Sequence, residues 1–174
     1  MRQPLTLIIN GIRHDLEVEP HWSLLDVLRR ELGLLGTKEN CLEAECGVCT
    51  VLLDGKAVNS CILLALQARD RAVTTIEGLA TPDGLDPLQQ AFVDLGAVQC
   101  GYCTPGMLLS ARALLAEDPT PSEDEIRDAI AGNLCRCTGY TNIVKAIQEA
   151  AERKAHRGGA EAQRGSRGID PSRP

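Results

Sequence analysis

Eight cysteines occur in a chain of 174 residues, and they fall into two groups of four. Cys41, Cys46 and Cys49 follow the pattern Cys-x4-Cys-x2-Cys, with Cys61 further on, and Cys100-x2-Cys103 is matched by Cys135-x-Cys137. Thiolates pair as disulfides, ligate metals or act as nucleophiles. His14, His21 and His156 form no Cys-x-His or Glu-x-x-His arrangement, and no Gly-x-Gly-x-x-Gly or phosphate loop is present. Met1 to Asn10 lacks the long apolar run of a secretory signal, so the expected location is the cytoplasm, where clustered cysteines bind metal more often than they pair.

The first quartet has the ligand spacing of a plant-type [2Fe-2S] site. Zinc knuckles usually pair two Cys-x2-Cys units, whereas this group has one such unit and a four-residue gap. Gly47, between two of the cysteines, permits close approach of the backbone to the sulfurs, and backbone N–H groups are expected to point at them. Cys61 is expected to open an apolar helix through Ala68, whose dipole would favour its thiolate. In the second quartet a Cys-x-Cys pair is unsuited to an unstrained disulfide, and both pairs are expected just before helix N-termini. Spacing alone leaves a cluster and zinc both open there.

The elements that position these groups divide along the chain. Leu5 to Ile9 and Ile12 to Val18 flank Asn10-Gly11, a type I′ hairpin signal. Ser23 is placed to cap a helix reaching about Leu32. Thr50 to Leu53 and Ala57-Val58 flank Asp54-Gly55 as a second hairpin, and Val73 to Ile76 reads as another strand. Residues 78–87, with two prolines and two glycines, read as a linker. Beyond it the pattern is helical: Pro87 to Gly96, a helix capped by Thr104 with Pro105 at its first position, one opened by the Ser122-x-x-Glu125 capping box, and one from Thr141 or Asn142 to about Ala151. The fold class expected is α+β, a small sheet domain at 1–77 followed by an all-α domain at 88–152 in which two helix pairs could form a four-helix bundle. Residues 153–174 read as a basic, disordered tail.

Composition narrows the function. Only four aromatic residues occur (Trp22, Phe92, Tyr102, Tyr140), too few for an aromatic-lined substrate pocket. Residues 153–174 carry six Lys or Arg against two acids, leaving the first 152 with twelve against twenty-two. That acidic body disfavours nucleic acid as a partner, and no stretch of 18 or more apolar residues suits a membrane span. Acidic runs such as Glu123-Asp124-Glu125 suit a helix start better than a catalytic carboxylate pair.

Three segments carry a resemblance: Cys41-Leu-Glu-Ala-Glu-Cys-Gly-Val-Cys-Thr-Val51, Gln99-Cys-Gly-Tyr-Cys-Thr-Pro-Gly106 and Asn133-Leu-Cys-Arg-Cys-Thr-Gly-Tyr140. In order and spacing they resemble the iron–sulfur subunit of the molybdenum hydroxylases, over about residues 4–152. The resemblance implies a ferredoxin-like (β-grasp) N-terminal domain holding one [2Fe-2S] cluster on Cys41, Cys46, Cys49 and Cys61. It implies a four-helix domain holding the other on Cys100, Cys103, Cys135 and Cys137. It further implies electron flow from a molybdopterin, in its cytosine dinucleotide form, on a large subunit, through both clusters, to FAD on a medium subunit. Gln99 and Cys137 would reach the pterin, and the assembly would be a heterotrimer or a dimer of heterotrimers. Many family members have glycine where this chain has Asn40 and Ala44, positions where a left-handed backbone is expected. The competing readings are a free-standing two-cluster ferredoxin and a zinc-stabilised interaction module.

Overall fold

The computed structural model describes residues 1–82 and 84–165. In strand β1 (Gln3–Ile9) Leu5, Leu7 and Ile9 are buried while Thr6 and Ile8 are not, the period-2 pattern of a sheet with one face on a core. The chain reverses at Asn10 (φ 51°) and Gly11 (φ 81°), both left-handed as a type I′ turn demands, and returns as β2 (Ile12–Val18). Strands β3 (Thr50–Leu53) and β4 (Lys56–Asn59) form the second hairpin around Asp54-Gly55, and β5 (Ala72–Thr74) closes the sheet. The order is β2-β1-β5-β3-β4, mixed, with β5 parallel to β1 and antiparallel to β3.

Ser23 caps α1 (Leu24–Asp26) through a reciprocal capping box with Asp26, and the helix continues as a π turn over Val27–Glu31. Leu24, Val27 and Leu28 pack on the sheet residues Leu5, Leu7, Ile9, Val51, Leu53 and Val73, forming one core. Cys61 does not open a helix, contrary to expectation: only a 3-10 turn at Ala65–Ala68 forms. The carbonyls of Ser60 and Leu63 accept the N–H groups of Leu25 and Leu24 instead, so backbone acceptors that a helix would use are spent on α1. The dipole argument for the Cys61 thiolate therefore falls.

Four helices follow: α2 (Pro87–Asp94), α3 (Thr104–Glu117), α4 (Glu123–Ile130) and α5 (Thr141–Gly165). Cys103, one residue ahead of the expected Thr104, is the N-cap of α3, and Ser122 forms the expected capping box with Glu125. Phe92, Met107, Leu109, Ile126, Ile143 and Ile147 build a second core between them. Helix α5 runs to Gly165, past the end expected near Ala151. Arg153 explains part of this by pairing with Glu149 one turn back and with Asp94 of α2, both at 2.9 Å. The rest of the expected tail, 166–174, lies outside the described residues.

Strand β3 joins the two cores. Val51 and Leu53 face the sheet-side core, while Leu52, pointing the other way, belongs to the helix-side core. This registration sets the first cysteine loop, which precedes β3, against α3 and the loop after α4.

Candidate metal centres

The first three cysteines sit on the loop between α1 and β3, and Cys61 follows β4. Leu42 (φ 62°), Ala44 (φ 65°) and Gly47 (φ 68°) are left-handed, which turns successive N–H groups inward as an anion-binding nest. Ala44 adopts the conformation a glycine would take more cheaply, and Asn59 Nδ2 donates to its carbonyl at 3.0 Å. Asn40, by contrast, is not among the left-handed residues. The N–H of Glu43 holds the Cys41 thiol down to about 7 against a smaller opposing effect of burial, with the N–H groups of Cys46 and Glu45 helping. Burial pushes Cys49 up to about 11.

All eight cysteines are free thiols. Their sulfurs approach two by two: Cys41 with Cys46, Cys49 with Cys61, Cys103 with Cys135, and Cys100 with Cys137 at 3.5 Å. A [2Fe-2S] cluster takes two protein ligands per iron, so paired sulfurs in each quartet fit its donor set. Among the described residues no three His, Cys, Asp or Glu side chains converge as ligands of a single ion.

The second quartet surrounds a cavity of about 470 Å³ lined also by Cys46, Tyr102, Leu134 and Tyr140. Burial raises Cys103 to about 12. Cys135 is also penalised by burial, but the hydroxyl and N–H of Thr138, at 3.1 and 3.4 Å, bring it below the usual thiol value. The N–H of Tyr102 lowers Cys100, and the Cys100 sulfur raises its partner Cys137. Cys103 stands directly at the N-terminus of α3, as expected, whereas Thr138, Gly139 and Tyr140 separate Cys137 from α5. Cys100, Cys137 and Gln99 are exposed; Cys103 and Cys135 are half-buried.

The two loops touch. The N–H of Leu134 donates to the Cys46 carbonyl at 2.9 Å, Tyr102 Oη donates to the Glu39 carbonyl at 2.5 Å, and Asn133 Nδ2 donates to the Gly47 carbonyl at 2.9 Å. Sequence reasoning assigned no role to Asn133, Ser110 or Tyr140 here. Asn133 and Gly47 lie 86 residues apart, so no local pattern signals their contact.

Residues 7–79 match the 2Fe-2S iron-sulfur cluster binding domain family and residues 75–148 the [2Fe-2S] binding domain family. The nicotinate dehydrogenase small FeS subunit of Eubacterium barkeri is 49% identical over 152 residues, covering 87% of this chain and 97% of its own. The aldehyde oxidoreductase iron-sulfur-binding subunit of Escherichia coli (strain K12) is 45% identical over 163 residues, 85% of this chain and 71% of its own. Among solved structures, quinoline 2-oxidoreductase from Pseudomonas putida 86 superposes with a TM-score of 0.86 at 46% identity, covering 90% of this chain and 98% of the matched chain. The two adjoining family matches define an iron–sulfur protein of the kind that serves oxidoreductase complexes. The chain belongs to the iron–sulfur subunits of the molybdenum hydroxylase family.

Proposed function

We propose that Cys41, Cys46, Cys49 and Cys61 hold one [2Fe-2S] cluster in a β-grasp domain at 1–77. Cys100, Cys103, Cys135 and Cys137 hold a second in a four-helix domain at 88–152, with 78–87 as the linker. Such clusters, when bound, supply one-electron chemistry and neither take nor release substrate atoms. The residues do the rest: the N–H groups of Glu43, Glu45 and Cys46 stabilise thiolate charge on Cys41, and Thr138 does so on Cys135.

The observation that carries the reading is the sorting of the second quartet by exposure. Cys100 and Cys137 lie at the surface with Gln99, while Cys103 and Cys135 face inward, next to the seam with the Cys46 loop. A donor docked at Gln99 and Cys137 would be a molybdopterin, in its cytosine dinucleotide form, on a large subunit. Electrons would cross the seam to the first cluster and leave to FAD on a medium subunit. The complex would be a cytoplasmic heterotrimer or a dimer of heterotrimers. Among the described residues, no helix is long and apolar enough to cross a membrane.

Anaerobic purification of the complex tests this by metal and flavin analysis and by EPR after partial reduction. Two distinct [2Fe-2S] signals and molybdenum and FAD in the complex are expected. Cys61→Ser should remove only the first signal and Cys137→Ser only the second. A colourless zinc protein would overturn the reading.

A further inference from the structure

Asn133 is 3% exposed, and its side-chain amide bonds to chain segments of both cysteine groups. Its Nδ2 donates to the Gly47 carbonyl at 2.9 Å and to Thr50 Oγ1 at 3.2 Å, and its Oδ1 accepts from Ser110 Oγ at 2.7 Å. Gly47 lies between Cys46 and Cys49, Ser110 lies on the helix that Cys103 caps, and Asn133 itself precedes Cys135 by two residues. One amide thus ties together chain segments that carry ligands of both proposed clusters.

The packing there admits little slack. A β-carbon on Gly47 would lie 2.2 Å from the Gly132 carbonyl, and one on Gly106 would lie 2.4 Å from the Gly47 carbonyl. Local satisfaction does not explain the asparagine, because the Gly47 carbonyl already accepts from Thr50 Oγ1 at 2.7 Å. An apolar side chain would fill the seam without needing partners, whereas a buried amide costs free energy unless it is bonded. What the amide adds is direction: a satisfied polar network in a low-dielectric interior fixes one arrangement, where apolar surfaces can slide.

We propose that Asn133 is a positioning residue that sets the separation of the two cluster sites and, through it, the rate of electron exchange between them. The proposal rests on the reading of the two quartets as [2Fe-2S] ligands. The exchange moves one electron from the group held by Cys100, Cys103, Cys135 and Cys137 to the group held by Cys41, Cys46, Cys49 and Cys61, with no bond made or broken. Tunnelling between such groups weakens steeply with separation, so a displacement too small to unfold the chain is large enough to slow the exchange.

The test uses the assembled complex, reduced anaerobically. Wild type is first examined for two [2Fe-2S] EPR signals; their absence removes the ligand assignment itself, independently of Asn133. Asn133→Ala, at full iron and sulfide content, is expected to change the magnetic splitting between the two reduced clusters. It should also slow electron exchange after a reducing pulse by about 10-fold or more, the effect typical of residues that orient metal ligands. Gly106→Ala, whose β-carbon would crowd the Gly47 carbonyl and the Asn133 amide nitrogen, should act in the same direction. A residue of merely structural importance would lower the melting temperature and leave splitting and exchange rate unchanged, and that outcome in Asn133→Ala overturns the proposal. Should Asn133→Ala lose a cluster, Ser110→Ala decides: it frees only the Oδ1 end, a changed splitting supports the proposal, and an unchanged one overturns it.

Discussion

The hydroxyl oxygen of Tyr140 accepts the backbone N–H of Cys135 at 2.8 Å, which closes the Cys-x-Cys loop on itself before α5 begins. Tyr140→Phe leaves that N–H without its partner in a half-buried position, at a cost of about 1–3 kcal/mol. A free N–H beside the sulfur of Cys135, a proposed ligand, also alters the charge that sulfur can carry, so the potential of the proposed second cluster should shift while that of the first stays put. Redox titration followed by EPR measures both in one sample.

Ala44 holds a left-handed backbone at φ 65°. Such a conformation costs a non-glycine residue roughly 1–2 kcal/mol, against about 0.5–1 kcal/mol of extra chain entropy that glycine loses on folding. Ala44→Gly is therefore expected to stabilise the protein by about 0.5–1 kcal/mol, read as a higher melting temperature with an unchanged visible spectrum.

Gly47→Ala has the opposite sign and a larger size. The left-handed cost of roughly 1–2 kcal/mol is joined by a collision with the Gly132 carbonyl at 2.2 Å, which is backbone and has nowhere to go. Loss of the first cluster from the purified protein, seen in iron content and absorbance, is the expected result.

Asp54 accepts from Arg71 Nε at 2.6 Å and from the Ala72 N–H at 2.9 Å, and the Arg71 bond holds its pKa below the usual aspartate value of 3.8. A carboxylate depressed on folding adds stability above its unfolded pKa and loses it as pH falls through the lower folded value. Acid titration of the wild type should thus show a small loss of stability at and below pH 3.8, blunted in Asp54→Asn. The pair is exposed, so the effect is modest and should shrink further in salt.

Phe92 is 1% exposed in the core between the helices. Phe92→Ala is expected to cost about 3–5 kcal/mol. Thermal and denaturant melts check the magnitude.

Much of this architecture is legible in residue order because its determinants are local. Asn10-Gly11 and Asp54-Gly55 specify hairpins through backbone angles, and Ser122 with Glu125 specifies a helix start through bonds three residues apart. The grouping of Cys41, Cys46 and Cys49 is local in the same sense. Cys61 escaped because the carbonyls around it are claimed by α1, a competitor nearly forty residues earlier in the chain. Gly106 and Asn133 were visible as parts of motifs, yet their contacts depend on how two folded halves meet. The extension of α5 past residue 152 depends in part on Arg153 finding Asp94 on another helix.

Because Leu52 on β3 is anchored in one core while its neighbours Val51 and Leu53 are anchored in the other, the strand cannot detach from either without disturbing both. The two halves are then expected to melt as a cooperative unit, with the amide protons of β3 exchanging only through global opening. Along that seam Cys103 and Cys135 are held half-buried, while Cys100 and Cys137 stand at the surface.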